Sequence, residues 1–124
     1  MINKLYKIAN YYKRKYHLHT MIDIVNDLAW CNYKPAIDSL IISLQDIKNK
    51  YQKGIFQDRN NIKDMKKLYI WCLLHELKHA IDFYLDDQSF KINVLNDRSK
   101  LHDKRYLELQ ADKFANKEYK KWKI

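Results

Sequence analysis

The residues best suited to chemistry form the sequence His-Glu-x-x-His at positions 75–79, inside an apolar run over residues 70–81. Because residues i and i+4 share one face of an α-helix, His75 and His79 can direct two imidazoles at one ion. Glu76 lies about 100° further around the helix, where its carboxylate can take a proton from metal-bound water without ligating the metal. This pattern predicts two histidine ligands and the general base of a zinc hydrolase.

A catalytic zinc site needs a third protein ligand and keeps one coordination position for water. The downstream segment 106–112 places Glu108 and Asp112 four residues apart in a second helical pattern. We expect Glu108 to bind the metal, one zinc ion per chain. We expect Asp112 to accept a hydrogen bond from the other ring nitrogen of a ligand histidine, which fixes the orientation of that ring. The alternative is a buried helix whose histidines are hydrogen-bonded to core residues.

The elements that must position these residues follow from the periodicity of apolar side chains. Apolar residues three and four positions apart predict an amphipathic helix over residues 2–16. The segments 17–25, 28–33 and 37–44 alternate or are rich in β-branched and aromatic residues, which is typical of short strands. Three short strands in succession favour a mainly antiparallel sheet in the form of a meander.

The second half of the chain is predicted to be helical. Gly54 is a natural helix stop, and the polar residues 58–61 provide caps for a central helix over residues 61–85. This helix is apolar around most of its circumference, so we expect it to be buried. A last helix begins near residue 99 or 101 and reaches Trp122. The predicted fold class is therefore α+β, in a single domain over residues 1–124.

Composition limits the class of protein. A chain of 124 residues with 47% hydrophobic and 31% charged residues is long enough for one globular domain. The net charge of +9 suits a nucleic-acid partner, but the basic residues are dispersed and mostly lysine, so we do not favour one. The chain lacks an apolar run long enough to span a membrane, and its first residues lack the apolar segment of a signal peptide. We expect a cytoplasmic monomer.

Four other residues are of types that can bind a metal ion. His17 and His19 alternate onto one face of the first predicted strand and are able to bind metal as a pair, but we favour polar positions on a half-exposed strand. Cys31 and Cys72 are too few for a disulfide framework, and we interpret both as free thiols. Cys72 precedes His75 by three residues, so a fourth ligand or a redox role is an alternative to the favoured one, a small core cysteine.

The two motifs together resemble the gluzincins, zinc metallopeptidases that combine His-Glu-x-x-His with Glu-x-x-Ala-Asp, the latter at residues 108–112 here. Over nearly the whole chain, the order of predicted elements is similar to that of the minigluzincins and the ImmA/IrrE-type metallopeptidases. Lys78 stands where the ImmA/IrrE-type motif commonly has glycine. The resemblance implies a minimal zincin-like domain with an N-terminal helix, a three-stranded sheet, a central His-Glu-x-x-His helix and a C-terminal glutamate helix.

The same resemblance implies roles for individual residues. By it, His75, His79 and Glu108 are zinc ligands, Glu76 is the general base, and Asp112 supports a ligand histidine. The resemblance also implies that an extended peptide binds by strand addition beside the cleft, for which residues 37–44 are the candidate edge strand. The minigluzincins further suggest a latent form in which the C-terminal tail, residues 117–124, occupies the cleft.

The leading functional hypothesis is a zinc-dependent endopeptidase acting on a peptide or protein substrate. An oxyanion formed during hydrolysis needs a donor besides zinc. His102 and Arg105 are better placed for this than Tyr106, which points away from Glu108 on a helix. One alternative is a non-catalytic zinc-containing regulatory protein that binds a protein or nucleic-acid partner. Another is a small basic nucleic-acid-binding protein with an accidental motif.

Overall fold

A computed structural model describes residues 1–85 and 106–123. The first helix, α1 (Ile2–Tyr16), has the predicted bounds and buries Leu5, Ile8, Ala9 and Tyr12 along one face. It ends at His17, whose left-handed φ of 56° turns the chain toward the sheet. The spacing of apolar residues alone thus predicted this helix and its buried side.

The sheet has three strands, β1 (Met21–Val25), β2 (Asn32–Lys34) and β3 (Ser39–Ser43), in the spatial order β1-β3-β2. Strand β3 pairs in parallel with β1 and antiparallel with β2. The sheet is therefore mixed, and the predicted antiparallel meander is wrong. The predicted edge segment, residues 37–44, forms the central strand, while β1 and β2 are the edges.

The connection after β1 explains this order. A tight hairpin would return the chain beside β1, but the connection is instead fixed to the end of β3 by the Ser43 hydroxyl. That hydroxyl donates to Asp27 O (2.6 Å) and accepts from Ala29 N (3.2 Å). Strand β2 is thereby placed on the far side of β3. A short 3-10 turn over Pro35–Ile37, with Asp38 in the left-handed region, then joins β2 to β3 as a hairpin.

The central helix is buried as predicted. Helix α2 (Leu44–Gln52) follows β3 directly, and Gly54, with φ of 74°, comes shortly after its end. Helix α3 (Met65–Leu85) begins four residues later than predicted, because Asp64 caps it by accepting hydrogen bonds from the amides of Lys66 and Lys67. Helix α3 contacts α1, α2, β2 and β3. Its fully buried side chains include Leu68, Ile70, Trp71, Leu73, Leu74 and Leu77.

The last helix, α4 (Tyr106–Glu118), continues into a 3-10 turn over Tyr119–Lys121. It packs along α3 more extensively than any other element, through Leu107, Ala111 and Ala115. Its predicted start, near residue 99 or 101, lies outside the described residues. Among the described helices, none is long and apolar enough to cross a membrane.

Candidate metal centre

Three adjacent ligand-type side chains lie on the buried central helix. His75 and His79 are 6% and 8% exposed, and Glu76 beside them is half-buried. One ligand atom from each of the three residues lies within 4.8 Å of the others. Within residues 1–85 and 106–123 no group of three such side chains lies elsewhere in the fold. The helical spacing of the motif therefore produces the predicted convergence.

Helix α4 supplies two carboxylates to the same place. The Nε2 atom of His75 lies 2.9 Å from Oε2 of Glu108, and Nε2 of His79 lies 3.1 Å from Oε1 of Glu108. The Oδ1 atom of Asp112 lies 2.8 Å from Nδ1 of His75. Asp112 thus holds one ring nitrogen of His75 and directs the other toward Glu108. The five residues His75, Glu76, His79, Glu108 and Asp112 are thus brought together in one place.

The contacts continue along both helices as a ladder. Trp71 lies one turn before His75 on α3, and its indole Nε1 donates to Asn116 Oδ1 (2.8 Å), one turn after Asp112 on α4. Later residues of α3 thus face earlier residues of α4, so the two helices are antiparallel. The Trp71 and His75 rings also stack, with centroids 5.4 Å apart and planes 25° apart. Side chains four residues apart on each helix therefore join the two helices along the centre.

Arg59 is a further member of the centre that the sequence analysis missed. It lies between α2 and α3, in the segment assigned only to capping. Its Nη2 and Nε atoms donate to Oδ1 (2.7 Å) and Oδ2 (3.1 Å) of Asp112. Nη2 also lies 3.3 Å from Nδ1 of His75 and 3.8 Å from Oε2 of Glu108. A buried carboxylate pair such as Glu108 and Asp112 predicts a cationic partner, but nothing in the sequence shows which arginine supplies it.

The charges of the centre depend on one another. Burial lowers the pKa of His75, but the hydrogen bonds to Asp112 and Glu108 outweigh it and raise that pKa to about 9. Burial likewise raises the pKa values of Glu108 and Asp112, but their contacts with His75, and for Asp112 also Arg59, hold both pKa values below the usual range. Without metal, two ionised carboxylates therefore face a protonated His75 near neutral pH. A cation that binds between them must displace that proton.

A cleft of about 460 Å³ opens onto the centre. Its polar wall includes Glu76, Glu108 and Arg59, together with both histidines. The opposite wall comes from strand β2, through Asn32 and Tyr33. The remaining lining is mainly apolar or aromatic and includes Trp30, Ile47, Ile55, Phe56 and Trp71. The volume is that of a typical small-ligand or peptide side-chain site.

The donor set fits a zinc ion. Ligand atoms of a tetrahedral zinc site with bonds of about 2.0 Å are about 3.3 Å apart. His75 Nε2 and His79 Nε2 contact different oxygens of Glu108, at 2.9 and 3.1 Å, so the two nitrogens and the carboxylate converge at spacings close to that value. Two neutral imidazoles and one carboxylate are also the ligand set of known catalytic zinc sites. His75, His79 and Glu108 would hold the ion.

The other sequence candidates lie apart from this set or cannot be placed. His17 and His19 are exposed and precede β1, so they do not form a pair on a strand. Tyr106 is 51% exposed at the start of α4. His102 and Arg105 lie outside the described residues.

Both cysteines are free thiols, as predicted. Cys31 and Cys72 line the cleft, Cys72 as a buried residue and Cys31 as a partly buried one. Burial raises the pKa of both thiols, that of Cys31 to about 12. Both are therefore protonated near neutral pH, which is the poorly ligating form.

The C-terminal tail packs against α1 through Trp122. Trp122 contacts Tyr11 and Tyr12, and none of the residues that line the cleft belongs to the tail. The described tail residues thus do not occupy the cleft, as the suggested latent form would require. No protein-family model, curated protein or solved structure matches the chain.

Proposed function

We propose that the chain is a zinc-dependent endopeptidase, in which His75, His79 and Glu108 hold the ion and Glu76 is the general base. One observation carries this proposal. Both Nε2 atoms face the Glu108 carboxylate at 2.9 and 3.1 Å, beside an accessible cleft that Glu76 also lines. A purely structural zinc site has four protein ligands and no open side.

The chemistry is divided between the ion and the side chains. Zinc, when bound, polarises the scissile carbonyl and lowers the pKa of the attacking water. Glu76 accepts the proton of that water and passes it to the leaving amine. Asp112 keeps the His75 ring in one orientation throughout. The apolar walls of the cleft exclude bulk water, which strengthens the electrostatic interactions inside it.

The substrate binds beside β2 in this proposal. Strand β2 is an edge of the sheet, it pairs only with β3 among the described strands, and its residues Asn32 and Tyr33 line the cleft. An extended peptide can pair with such an edge through its main chain, while its side chains enter the adjoining pockets. The strand-addition role expected of residues 37–44 thus passes to β2, because β3 has neighbours on both sides.

Metal content tests the ligand set. Metal-depleted protein is loaded with zinc, freed of excess by gel filtration and measured by elemental analysis. The wild type and Glu76→Gln should each retain one zinc ion, and His75→Ala and Glu108→Ala should lose it. Wild-type protein that retains no zinc would refute the proposal.

Hydrolysis tests the role of Glu76. Zinc-loaded wild type is incubated with a mixed library of unstructured peptides, and products are identified by mass spectrometry. Glu76→Gln should lower the rate about 10²–10⁴-fold, the usual contribution of a general base. Asp82→Asn is the matched control, since Asp82 lies on the same helix but pairs with Lys78 outside the cleft lining. An equal rate in Glu76→Gln would contradict the mechanism.

A further inference from the structure

Arg59 is held rigidly although it belongs to neither flanking helix. Its backbone amide donates to Phe56 O (3.1 Å), and its guanidinium carbon lies 5.3 Å from the centre of the Trp71 ring. The side chain is only 17% exposed. A guanidinium ordered in this way, over an aromatic face, loses little further freedom when it binds a carboxylate.

Its contact with Asp112 has two points. Nη2 donates to Oδ1 at 2.7 Å and Nε donates to Oδ2 at 3.1 Å, so both carboxylate oxygens are engaged. Such a paired contact fixes the plane of the carboxylate as well as its distance. The same Oδ1 atom lies 2.8 Å from Nδ1 of His75. Asp112 therefore cannot turn away from His75 without breaking a bond to Arg59.

We propose that Arg59 is a positioning residue of the metal centre, which holds Asp112 against His75 and thereby directs Nε2 of His75 at the ion. The inference rests on the proposed metal site but not on peptide hydrolysis. Arg59 acts through Asp112, and its effect is on how tightly and in what geometry the ion is held. Loss of a group that orients a ligand histidine typically lowers metal affinity 10–100-fold.

Two simpler roles predict different results. If Arg59 only fills space against Trp71, an unbranched apolar side chain of similar length should preserve zinc affinity. If it only supplies positive charge, lysine should preserve the wild-type affinity. Loss of a repelling charge should also make zinc bind more tightly to an uncharged variant. A positioning role requires the planar two-point contact, which neither methionine nor lysine can form.

The experiment measures zinc affinity by competition with a chromophoric chelator. It compares the wild type, Arg59→Met, Arg59→Lys and Arg14→Met, the last of which removes an exposed arginine on α1. We expect the zinc Kd to rise about 10–100-fold in Arg59→Met and to recover little in Arg59→Lys. In Arg14→Met it should stay within about twofold of the wild type. Visible absorption of the cobalt-loaded proteins should change in both Arg59 variants and not in Arg14→Met, because it reports ligand geometry.

A double-mutant cycle with Asp112→Asn completes the test. If Arg59 acts through Asp112, Arg59→Met should add little to the effect of Asp112→Asn, so the two effects should be far from additive. If Arg59→Met folds poorly, the same cycle can be measured with Arg59→Lys in place of Arg59→Met. An unchanged or lower zinc Kd in Arg59→Met, full recovery by lysine, or additive effects would each overturn the inference. A wild type that binds no zinc would remove the metal site itself, whereas zinc binding without peptide cleavage would count only against the proposed peptidase.

Discussion

Helix α4 carries two glutamates, Glu108 and Glu118, with different surroundings. Glu118, 4% exposed, accepts a hydrogen bond from the Tyr12 hydroxyl (3.0 Å) and pairs with Lys121 Nζ (2.6 Å). The Tyr12 oxygen in turn accepts from the Trp122 indole (3.1 Å). Near the other end of the helix, the partners of Glu108 are two histidines, and the cleft opens beside it.

Glu118 and Glu108 differ in the chemistry of the side chains that contact them. Glu118 lies in a cluster of hydrogen-bond donors and a cation, which do not usually bind metal ions: Tyr12, Lys121 and Trp122. None of these three residues lines the cleft. That cluster is complete as it stands and joins the C-terminal end of α4 to α1. The partners of Glu108 include two imidazoles, the side chains that most commonly ligate metal ions in proteins. One carboxylate therefore joins two helices, and the other belongs to the proposed metal centre.

The largest expected effect separates the two carboxylates by metal affinity. Glu108→Gln should raise the zinc Kd more than about 100-fold, since the loss of a ligand exceeds the loss of a group that only orients one. Glu118→Gln removes the same charge from the same helix and should leave the zinc Kd within about twofold. Chelator competition measures both. An equal rise of the zinc Kd in both variants would show that zinc binding depends only on the overall charge of the protein and not on Glu108 itself.

Zinc should also stabilise the fold through the Glu108 end. At a free zinc concentration of about 100 Kd, the free energy of unfolding should rise by about 2.7 kcal/mol, because the ion binds the folded state. Chelation should abolish this gain in wild type, and His75→Ala should not show it. Urea denaturation with and without zinc measures it. A similar zinc gain in His75→Ala would place the ion elsewhere.

The Glu118 end should contribute stability with or without metal. Tyr12→Phe leaves Glu118 without one donor and the Trp122 indole without its acceptor, and should lower the free energy of unfolding by about 1.5–3 kcal/mol. The loss should be the same in chelator and in zinc. Tyr51→Phe is the control, since Tyr51 is 37% exposed. If Tyr12→Phe lowered the free energy of unfolding only in the presence of zinc, the Glu118 end of α4 would be coupled to the Glu108 end, contrary to this prediction.

The smallest expected effect is a pH dependence. Burial raises the pKa of Glu118, but its contacts with Lys121 and Tyr12 outweigh it and hold that pKa below the usual range. Its contribution to stability should therefore be present above the unfolded pKa, about 4.5, and be lost as pH falls through the lower folded value. The difference in unfolding free energy between wild type and Glu118→Gln, measured in chelator, should shrink below about pH 4.5. A difference that grows on acidification would contradict the sign of the shift.

Local spacing explains what the sequence predicted well. His75 with His79, and Glu108 with Asp112, are pairs at helical spacing, so their shared faces follow from helix geometry alone. The bounds of α1 and the burial of α3 follow in the same way from apolar periodicity. The need of a catalytic zinc site for a third ligand, together with the resemblance to the gluzincins, then predicted that the two faces meet.

The sequence analysis did not predict contacts made by segments that lack a helical or strand periodicity. The Ser43 hydroxyl holds the connection after β1 at the end of β3, and a lone serine gives no sign of that role. Arg59 lies in an irregular segment and finds Asp112 only through the tertiary fold. The packing of Trp122 on Tyr12 likewise joins the two ends of the described chain. In each case a single side chain decides the outcome, and the sequence holds many equivalent ones.

The antiparallel ladder between α3 and α4 has a consequence for which residues become ligands. Glu108, Asp112 and Asn116 recur every four residues, and all three carry side-chain oxygens that accept hydrogen bonds. A slide of α4 by four residues, about 6 Å, would bring Asp112 opposite His79 and still leave acceptors facing the histidines. Glu118 cannot follow such a slide, because its partner Tyr12 is fixed on α1. Glu118, held by Tyr12, thus helps to set the register of α4, and with it which carboxylate faces the two histidines.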